Sequence, residues 1–250
     1  MSAAEADLLV EHRGAILWLT LNRPKAANAL SKSMQELFCS ALANAESDPG
    51  IQAVVVSGSG RVFSAGADLR SNPDNLSPIG LGTQRADIIR SLLVSVLDFR
   101  KPLIASLNGP AVGGGCMLAL LVDHVVMSDA SFMSLPEIDV GIPSPLGYTI
   151  AEIVLNGRMA SDLIQSGRRI AAEEAKALGI AEVSVAGELH TRTQAAADFF
   201  GKKSPAAFAV NKEWSNGPRK ERVLAALAAS QRYRERSSAH MNPGTTRQGS

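Results

Sequence analysis

The sequence has little cysteine. Only Cys39 and Cys116 are present, and they do not have the close spacing of a metal-binding motif. Both stand among apolar residues, where a small buried thiol is the typical role. The sequence therefore predicts neither a disulfide scaffold nor a metal site. It favours a protein of a reducing compartment, and we expect the cytoplasm.

The sequence also lacks a strong charge imbalance and a long apolar run. Its formal net charge is +1 over 250 residues, so no bulk field directs it to nucleic acid or to an anionic membrane. The longest run of apolar residues and glycine, Ala111 to Val122, is too short to span a bilayer. The first residues are acidic and lack the basic start of an export signal. We therefore expect a soluble, non-exported protein without membrane or nucleic-acid partners.

Short strands and helices alternate along the chain. Residues 8–10 and 15–21 read as two strands, and apolar residues from Met34 to Ala45 recur at helical spacing. Ser33 and Glu36 predict a capping box for that helix. This alternation favours a layered or spiral α/β body, and 250 residues suit one large domain, with or without a small appendage.

A second cycle of the same kind follows. The pattern predicts a helix over residues 83–99, a strand in "PLIASLNG" and a helix from Gly114 to Leu121. Beyond Pro145 the chain becomes mostly helical, with one late helix starting at Ser204-Pro205 and a separate one in "PRKERVLAALAASQRYRER". The second half is thus expected to be richer in helix than the first.

Three glycines, Gly113 to Gly115, stand directly before the apolar helix. A strand that turns into a helix there presents bare backbone N–H groups at the positive end of the helix dipole, where a developing oxyanion could bind. Close packing of the helix on a sheet would require the same glycines. The stretch matches neither GxGxxG nor GK[ST], the phosphate-loop patterns. A second small-residue turn, "FSAGADL" at 63–69, offers another N–H at Ala65, with Asp68 holding the loop.

These two turns, with "NRPKAANAL" (22–30), "PEIDVGIP" (136–143) and "AAEEAKALGIAEVS" (171–184), resemble the crotonase family, the enoyl-CoA hydratase/isomerase superfamily. The resemblance implies an α/β fold, a crotonase-like spiral of ββα turns with a helical C-terminal region. It implies an acyl-CoA thioester as substrate, no cofactor beyond the CoA of the substrate, and a homotrimer or homohexamer. We expect a core over residues 1–200 that carries the CoA site, a helical trimerisation region over 201–238 and a mobile tail over 239–250.

The resemblance also assigns roles to residues by position. The oxyanion donors are expected to be the N–H groups of Ala65 and Gly114, because fixed amides stabilise an enolate better than the ground-state thioester. The residues expected to contact CoA are Lys25, Ala26, Ala67 and Asp68. Those expected to line the acyl pocket are Leu69, Met117 and Ser144.

The catalytic acids distinguish the activities of the family. Its hydratases usually carry two glutamates, one three residues past the middle glycine and one in a "PE" after the next strand. Here the first position holds Met117 and the second retains Glu137. One carboxylate is enough to take a proton from Cα of a 3-enoyl-CoA and return it at Cγ, and an apolar Met117 would exclude water. We therefore expect an isomerase that converts 3-enoyl-CoA to 2-enoyl-CoA, with a hydratase as the alternative.

Further alternatives remain open. The same oxyanion hole would serve an acyl-CoA decarboxylase or a C–C lyase, and His240 near the C-terminus would support such chemistry if it folded over the site. A non-catalytic member that binds CoA or RNA is another possibility. The basic stretch from Arg219 to Arg236 is interrupted by Glu221 and Glu235, which favours a solvated helix face over a nucleic-acid surface. The family's customary closing segment, an acidic residue followed by Gly, an aromatic, Lys and Arg, is missing.

Overall fold

A computed structural model describes residues 6–68 and 89–240, the latter without the side chains of 231 and 233–240. The chain starts with a hairpin of β1 (Leu8–Arg13) and β2 (Ile16–Leu21), paired antiparallel. The strand predicted over residues 8–10 thus extends to Arg13, because every residue of β1 finds a partner on β2. Most of β1 is exposed, so apolar periodicity marks only its beginning.

The first helix, α1 (Lys32–Ser47), has a different cap from the predicted one. Its N-cap is Ser31, which has extended backbone angles and whose Oγ accepts a hydrogen bond from the Met34 N–H at 3.2 Å. Ser33 lies in the first turn, and its hydroxyl donates to Asp7 Oδ2 at 2.8 Å. The capping box from Ser33 and Glu36 is therefore wrong. Two serines two residues apart satisfy the same local rule, and both hydroxyls bond to the distant Asp7, so the extended backbone of Ser31 is what makes it the cap.

The main sheet has six strands in the order β1-β2-β3-β4-β6-β9 and is parallel from β2 onward. Its central strands are buried and apolar, as parallel strands covered on both faces must be. The strand at the edge next to β6 has three residues. The members after the hairpin are β3 (Ala53–Gly58), β4 (Leu103–Leu107), β6 (His124–Ser128) and β9 (Glu182–Ser184).

A second, three-stranded sheet pairs β7 (Phe132–Ser134) with β5 (Ala111–Val112) and with β8 (Arg169–Ala171). The first of these pairs is parallel and the second is antiparallel. The sequence predicted neither β8 nor β9, because strands of three residues are too short to show a period. In the described part of the turn, residues 63–68, two isolated bridges pair Leu30 with Ala67 and Ser64 with Ala111.

Helices cover both sheets. The described part of α2 comprises residues 89–98, and α3 (Gly114–Leu121) is buried along its whole length, which explains why its sequence is entirely apolar or small. The next helices are α4 (Pro145–Val154), α5 (Gly157–Ser166), α6 (Ala172–Ala177) and α7 (Leu189–Gly201). The predicted α/β class with a helical second half is confirmed.

The last helix, α8 (Pro205–His240), is continuous, so the prediction of two separate helices is wrong. Pro218 lies inside it and cannot donate to the carbonyl of Trp214, but Trp214 is 85% exposed and water can satisfy that carbonyl. The buried side chain of Asn216 donates to the Leu97 carbonyl at 3.0 Å and fixes the helix at this point. No helix in the described ranges combines the length and apolar character needed to cross a membrane. Most of the predicted mobile tail, 241–250, lies outside the described residues.

Candidate active site

A cavity of about 220 Å³ lies at the N-terminus of α3. The 3₁₀ turn Glu137–Val140 and the start of α4 form further walls, and Ser230 of α8 contributes one more. Most of the predicted oxyanion, catalytic and acyl-pocket residues line this one cavity, together with one of the residues predicted to contact CoA. The former are Ala65, Gly114, Met117, Glu137 and Ser144, and the latter is Ala67.

Glu137 lies directly against the beginning of α3. Gly113, the residue before the helix, has φ +54°, and a Cβ added to it would lie 3.3 Å from Glu137 Oε1. Glycine is therefore suited here both to the backbone conformation and to the approach of the carboxylate. Gly114 follows as the first residue of α3, and the first amides of a helix have no acceptor in their own helix. The predicted acid and one predicted amide donor thus meet at this helix end.

The amide of Ala65 is not available to bind an oxyanion in the cavity. Its N–H donates to the Ala27 carbonyl at 2.9 Å and is directed into the protein. The prediction that Ala65 provides an oxyanion donor is therefore wrong. The residue still lines the cavity, but with its other atoms.

Ala67 provides the second amide at the cavity. The flanking groups are turned the other way: the Gly66 carbonyl accepts from Leu30 N–H at 2.7 Å, and Asp68 N–H donates to the Leu30 carbonyl at 3.3 Å. Backbone groups alternate in extended chain, so the Ala67 N–H faces the side opposite Leu30. A Cβ added to Gly114 would lie 3.5 Å from the Ala67 nitrogen. Ala67 and Gly114, rather than Ala65 and Gly114, are the adjacent amides.

Gly66 makes this approach possible. Its φ is +87°, and a Cβ there would lie 2.8 Å from both the Gly114 nitrogen and the Val112 carbonyl oxygen. A side chain would therefore push the loop away from the start of α3. The glycine of the "AGAD" turn is explained by this contact between two distant parts of the chain.

The carboxylate of Asp68 holds the loop, as the sequence indicated. It is buried, and its Oδ2 accepts from Arg23 Nη1 at 2.7 Å. The same guanidinium donates to the Ala29 carbonyl at 2.8 Å, so it ties the loop to the "NRPKAANAL" turn. No role was predicted for Arg23 from the sequence. Its position in the "NRPKAANAL" motif was the one signal that could have indicated a role. Asp68 is thus occupied inside the protein and does not line the cavity.

The "NRPKAANAL" turn is held by its backbone geometry and by a buried amide. Residues Pro24–Ala26 form a 3₁₀ turn, and Ala27 and Asn28 have positive φ values of 50° and 52°. The fully buried Asn28 amide donates to the Ser59 and Val62 carbonyls at 2.8 and 2.7 Å. Lys25 is exposed on this turn, and the roles of Lys25 and Ala26 in binding CoA stay predictions. Leu69 lies outside the described residues.

Met117 and Ser144 converge on the start of α4. A Cβ on Gly147 would lie 3.2 Å from Met117 Cε and 2.5 Å from Ser144 Oγ, so the two side chains lie close together above that glycine. Met117 is 6% exposed. Met117, three residues past Gly114, therefore presents a thioether to the cavity, next to the hydroxyl of Ser144.

Cys116 lies beside the site but is not a nucleophile. Burial raises the pKa of its thiol well above the ordinary value, and the negative charge of Glu137 acts in the same direction. The thiol therefore stays protonated, and only a thiolate attacks efficiently.

His124 and His190 lie outside this cavity and contact other side chains of the fold. His124 lies 3.5 Å from Glu182, and His190 stacks on Trp18 with ring centroids 4.4 Å apart. The side chain of His240 is not among the described ones. The part of the chain that the structure describes contains no group of three side chains suited to holding a metal ion.

Comparison with known proteins identifies the family. The model of the enoyl-CoA hydratase/isomerase family matches residues 11–247. The chain belongs to this family. It is 34% identical to a putative enoyl-CoA hydratase of Thermus thermophilus over 80% of both chains. It is 38% identical to the 2,3-dehydroadipyl-CoA hydratase of Escherichia coli over 70% of this chain and 68% of that one.

Solved structures agree with this assignment. An enoyl-CoA hydratase/isomerase of Mycobacterium paratuberculosis superposes with a TM-score of 0.77 and 27% identity over 90% of both chains. An enoyl-CoA hydratase of Mycobacterium avium gives a TM-score of 0.78 and 26% identity over 93% of this chain and 99% of that one. The crotonase fold is thereby confirmed, and the protein is an acyl-CoA-processing member of the family.

Proposed function

We propose that the protein is an isomerase that moves the double bond of a 3-enoyl-CoA thioester to the 2-position. The observation that carries this proposal is the cavity in which Glu137 meets the amides of Ala67 and Gly114 while Met117 presents no carboxylate. CoA enters as part of the substrate, and the proposed reaction needs no further cofactor.

The two amides would bind the thioester oxygen. Removing a proton from Cα places negative charge on that oxygen, and fixed N–H donors stabilise this charge more than they stabilise the neutral thioester. The first turn of α3 adds the positive end of its dipole. One such donor contributes about 3–4 kcal/mol to the lowering of the barrier.

Glu137 would then transfer the proton. Its carboxylate breaks the Cα–H bond, and the electron pair is delocalised over the dienolate formed by the thioester and the 3,4 double bond. The protonated Glu137 returns the proton at Cγ, which leaves a 2,3 double bond and restores the carboxylate. Because the acid that forms in the first half serves as the donor in the second, one carboxylate completes the cycle.

The test follows deuterium in heavy water. Purified protein should convert 3-enoyl-CoA to 2-enoyl-CoA; deuterium should enter at Cγ to the extent that the protonated Glu137 exchanges with solvent before it returns its proton, and at Cα through return of a deuteron to that carbon. Glu137→Gln keeps the shape of the side chain but cannot accept the proton, and should lower kcat/KM by about 10³-fold. Glu173→Gln, at an exposed glutamate of α6, is the matched control. Wild-type activity in Glu137→Gln would rule out the proposed role.

Enoyl-CoA hydration is the second candidate. The relatives carry hydratase names, and the hydroxyl of Ser144 lies beside Met117 in the same cavity, where it could hold a water molecule together with Glu137. If hydration of crotonyl-CoA is faster than isomerisation, and Ser144→Ala lowers hydration by the larger factor, the hydratase replaces the isomerase.

The assembly and location belong to the proposal as well. A homotrimer or homohexamer in the cytoplasm, acting on acyl-CoA thioesters and without a nucleic-acid partner, is the form in which we expect the enzyme to work. Light scattering coupled to gel filtration would measure the subunit number directly.

A further inference from the structure

We propose that Ser64 is a positioning residue, whose buried hydroxyl holds the Ala67 amide in the direction of the thioester oxygen. This proposal deepens the proposed function and rests on it in one respect, since it takes the amides of Ala67 and Gly114 as the oxyanion donors. Ser64 is fully buried and is not among the described residues that line the cavity. It therefore acts on the substrate only through the backbone that it holds.

The Ala67 amide follows a glycine, which leaves its direction free. The N–H of Ala67 shares one planar peptide unit with the Gly66 carbonyl, so the direction of that carbonyl sets the direction of the N–H. Gly66 has φ +87°, and glycine adopts many other backbone conformations as readily. The approach to α3 requires glycine at this position, so the restraint on its backbone has to come from neighbouring groups.

Two hydrogen bonds restrain Gly66, one on each side. Its carbonyl accepts from Leu30 N–H at 2.7 Å. Its N–H donates to Ser64 Oγ at 3.2 Å, and the Ser64 hydroxyl donates in turn to the Asn28 carbonyl at 2.9 Å. The serine hydroxyl thus links the amino side of Gly66 to the turn at 22–30. Without the hydroxyl that link is lost, and the peptide that carries the Ala67 N–H can turn more freely.

Ser64 also contacts the segment that provides the other amide. Its carbonyl accepts from Val112 N–H at 2.9 Å, shortly before Gly114. A Cβ added to Gly115 would lie 2.6 Å from the Ser64 carbonyl oxygen, 2.7 Å from Ser64 Cβ and 3.0 Å from Ser64 Oγ. The close packing of Ser64 on the first turn of α3 therefore explains the third glycine of the triplet. One small residue joins both of the segments that carry the proposed donors.

The loss of the hydroxyl should affect catalysis more than binding. A fixed donor stabilises the charge that develops in the transition state, and a donor that points elsewhere for part of the time loses this advantage. Ser64→Ala removes the hydroxyl and keeps the Cβ that packs on Gly115. We expect kcat to fall about tenfold, because the donor is loosened and not removed. The KM, and the Kd for butyryl-CoA, should stay within about twofold of the wild-type values.

Infrared difference spectroscopy tests the direction of the amide itself. The probe is butyryl-CoA with an isotope label at the thioester carbonyl, which is saturated and cannot isomerise. Hydrogen-bond donors polarise a carbonyl, so its stretching band should lie at a lower wavenumber on the wild-type protein than in solution. In Ser64→Ala the band should move part of the way back toward its position in solution. A serine that serves only to stabilise the fold would not move this band.

Ser106→Ala is the matched control. Ser106 is 2% exposed, its Oγ lies 3.0 Å from Thr193 Oγ1, and it belongs to β4 of the main sheet. The control also loses a buried, hydrogen-bonded serine hydroxyl, but it should keep the wild-type kcat and the wild-type band. Ser64→Cys is a second variant of similar size whose sulfur is a weaker acceptor, and it can be measured even if Ser64→Ala does not fold. Its kcat and its band should lie between those expected for Ser64→Ala and those of the wild type.

Three outcomes would overturn the inference. They are a wild-type kcat and band in every Ser64 variant that folds, a fall in kcat without a movement of the band, and an equal change in Ser106→Ala. The failure of the proposed function gives a different result. A band that moves as expected in a protein without isomerase activity would refute the isomerase alone. A wild-type band at the position found in solution would refute both, because the thioester oxygen would then have no donors to be positioned.

Discussion

Replacing Gly114 by alanine tests the pair of amides most directly. The new Cβ would lie 3.5 Å from the Ala67 nitrogen, in the space that a thioester oxygen must enter to reach both donors. The substrate then loses at least one of the two hydrogen bonds in the transition state. Loss of one such donor costs about 3–4 kcal/mol, so kcat/KM should fall by roughly 10²–10³-fold.

The fold should survive this change. The new methyl group would overlap Ile89 Cδ1, which is the end of a flexible side chain and can turn away. Alanine also suits a helix better than glycine, by about 0.5–1 kcal/mol. Urea unfolding should therefore give a stability close to that of the wild type, while the isomerase assay shows the loss.

A double variant separates two explanations of that loss. If the methyl group acts by displacing Ile89, then Gly114→Ala combined with Ile89→Ala should restore activity. If it acts by blocking the amides, the double variant should stay as slow as Gly114→Ala. A single variant within about threefold of the wild type would refute the role of these amides.

Two further predictions concern the body of the protein. The Lys212 side chain is 4% exposed and its Nζ lies 2.6 Å from Asp123 Oδ2, so Lys212→Met should cost about 1–3 kcal/mol in urea unfolding, because the partly exposed carboxylate loses its cation but keeps the hydrogen bond from Leu103 N–H at 2.8 Å. Adding Asp123→Asn should recover part of this loss, and an unchanged stability in the single variant would contradict the assignment. Burial, and secondly the charge of Arg13, lower the pKa of His190 below its ordinary value of 6.5. The unfolded chain then binds a proton more readily than the folded one, so stability should fall as the pH drops below about 6.5. His190→Gln should flatten this fall in a thermal-denaturation series, unlike the control His12→Gln, and equal slopes in the two variants would refute it.

The sequence predicted the site more accurately than it predicted the atoms that act there. Glycines before an apolar helix indicate an open helix end whatever the rest of the fold, so Gly114 could be identified locally. The choice between Ala65 and Ala67 could not be made in this way, because both are small residues in the same turn. It depends on the pairing of Gly66 and Asp68 with Leu30, a contact between segments more than thirty residues apart.

Two errors concern the helices. Ser31 and Ser33 are equally good caps by local rules, and both hydroxyls also bond to Asp7, so the cap is distinguished by the extended backbone of Ser31 and by its bond from Met34 N–H. Pro218 normally predicts a break in a helix. Here the contact of Asn216 with the Leu97 carbonyl holds α8 across the proline. Long-range packing decided this second case.

The glycines of the site also explain how an acid and two amides come together without a long loop. Gly66 allows the Ala67 nitrogen to approach the Gly114 nitrogen, while Gly113 allows Glu137 to approach the same helix end from the other side. A side chain at either position would separate one partner from α3. The proposed base and the proposed oxyanion donors are therefore positioned relative to one another by contacts at a single helix end, so a shift of α3 would move both together. We infer that substitutions which loosen α3 should lower the rate of proton transfer before they weaken the binding of CoA.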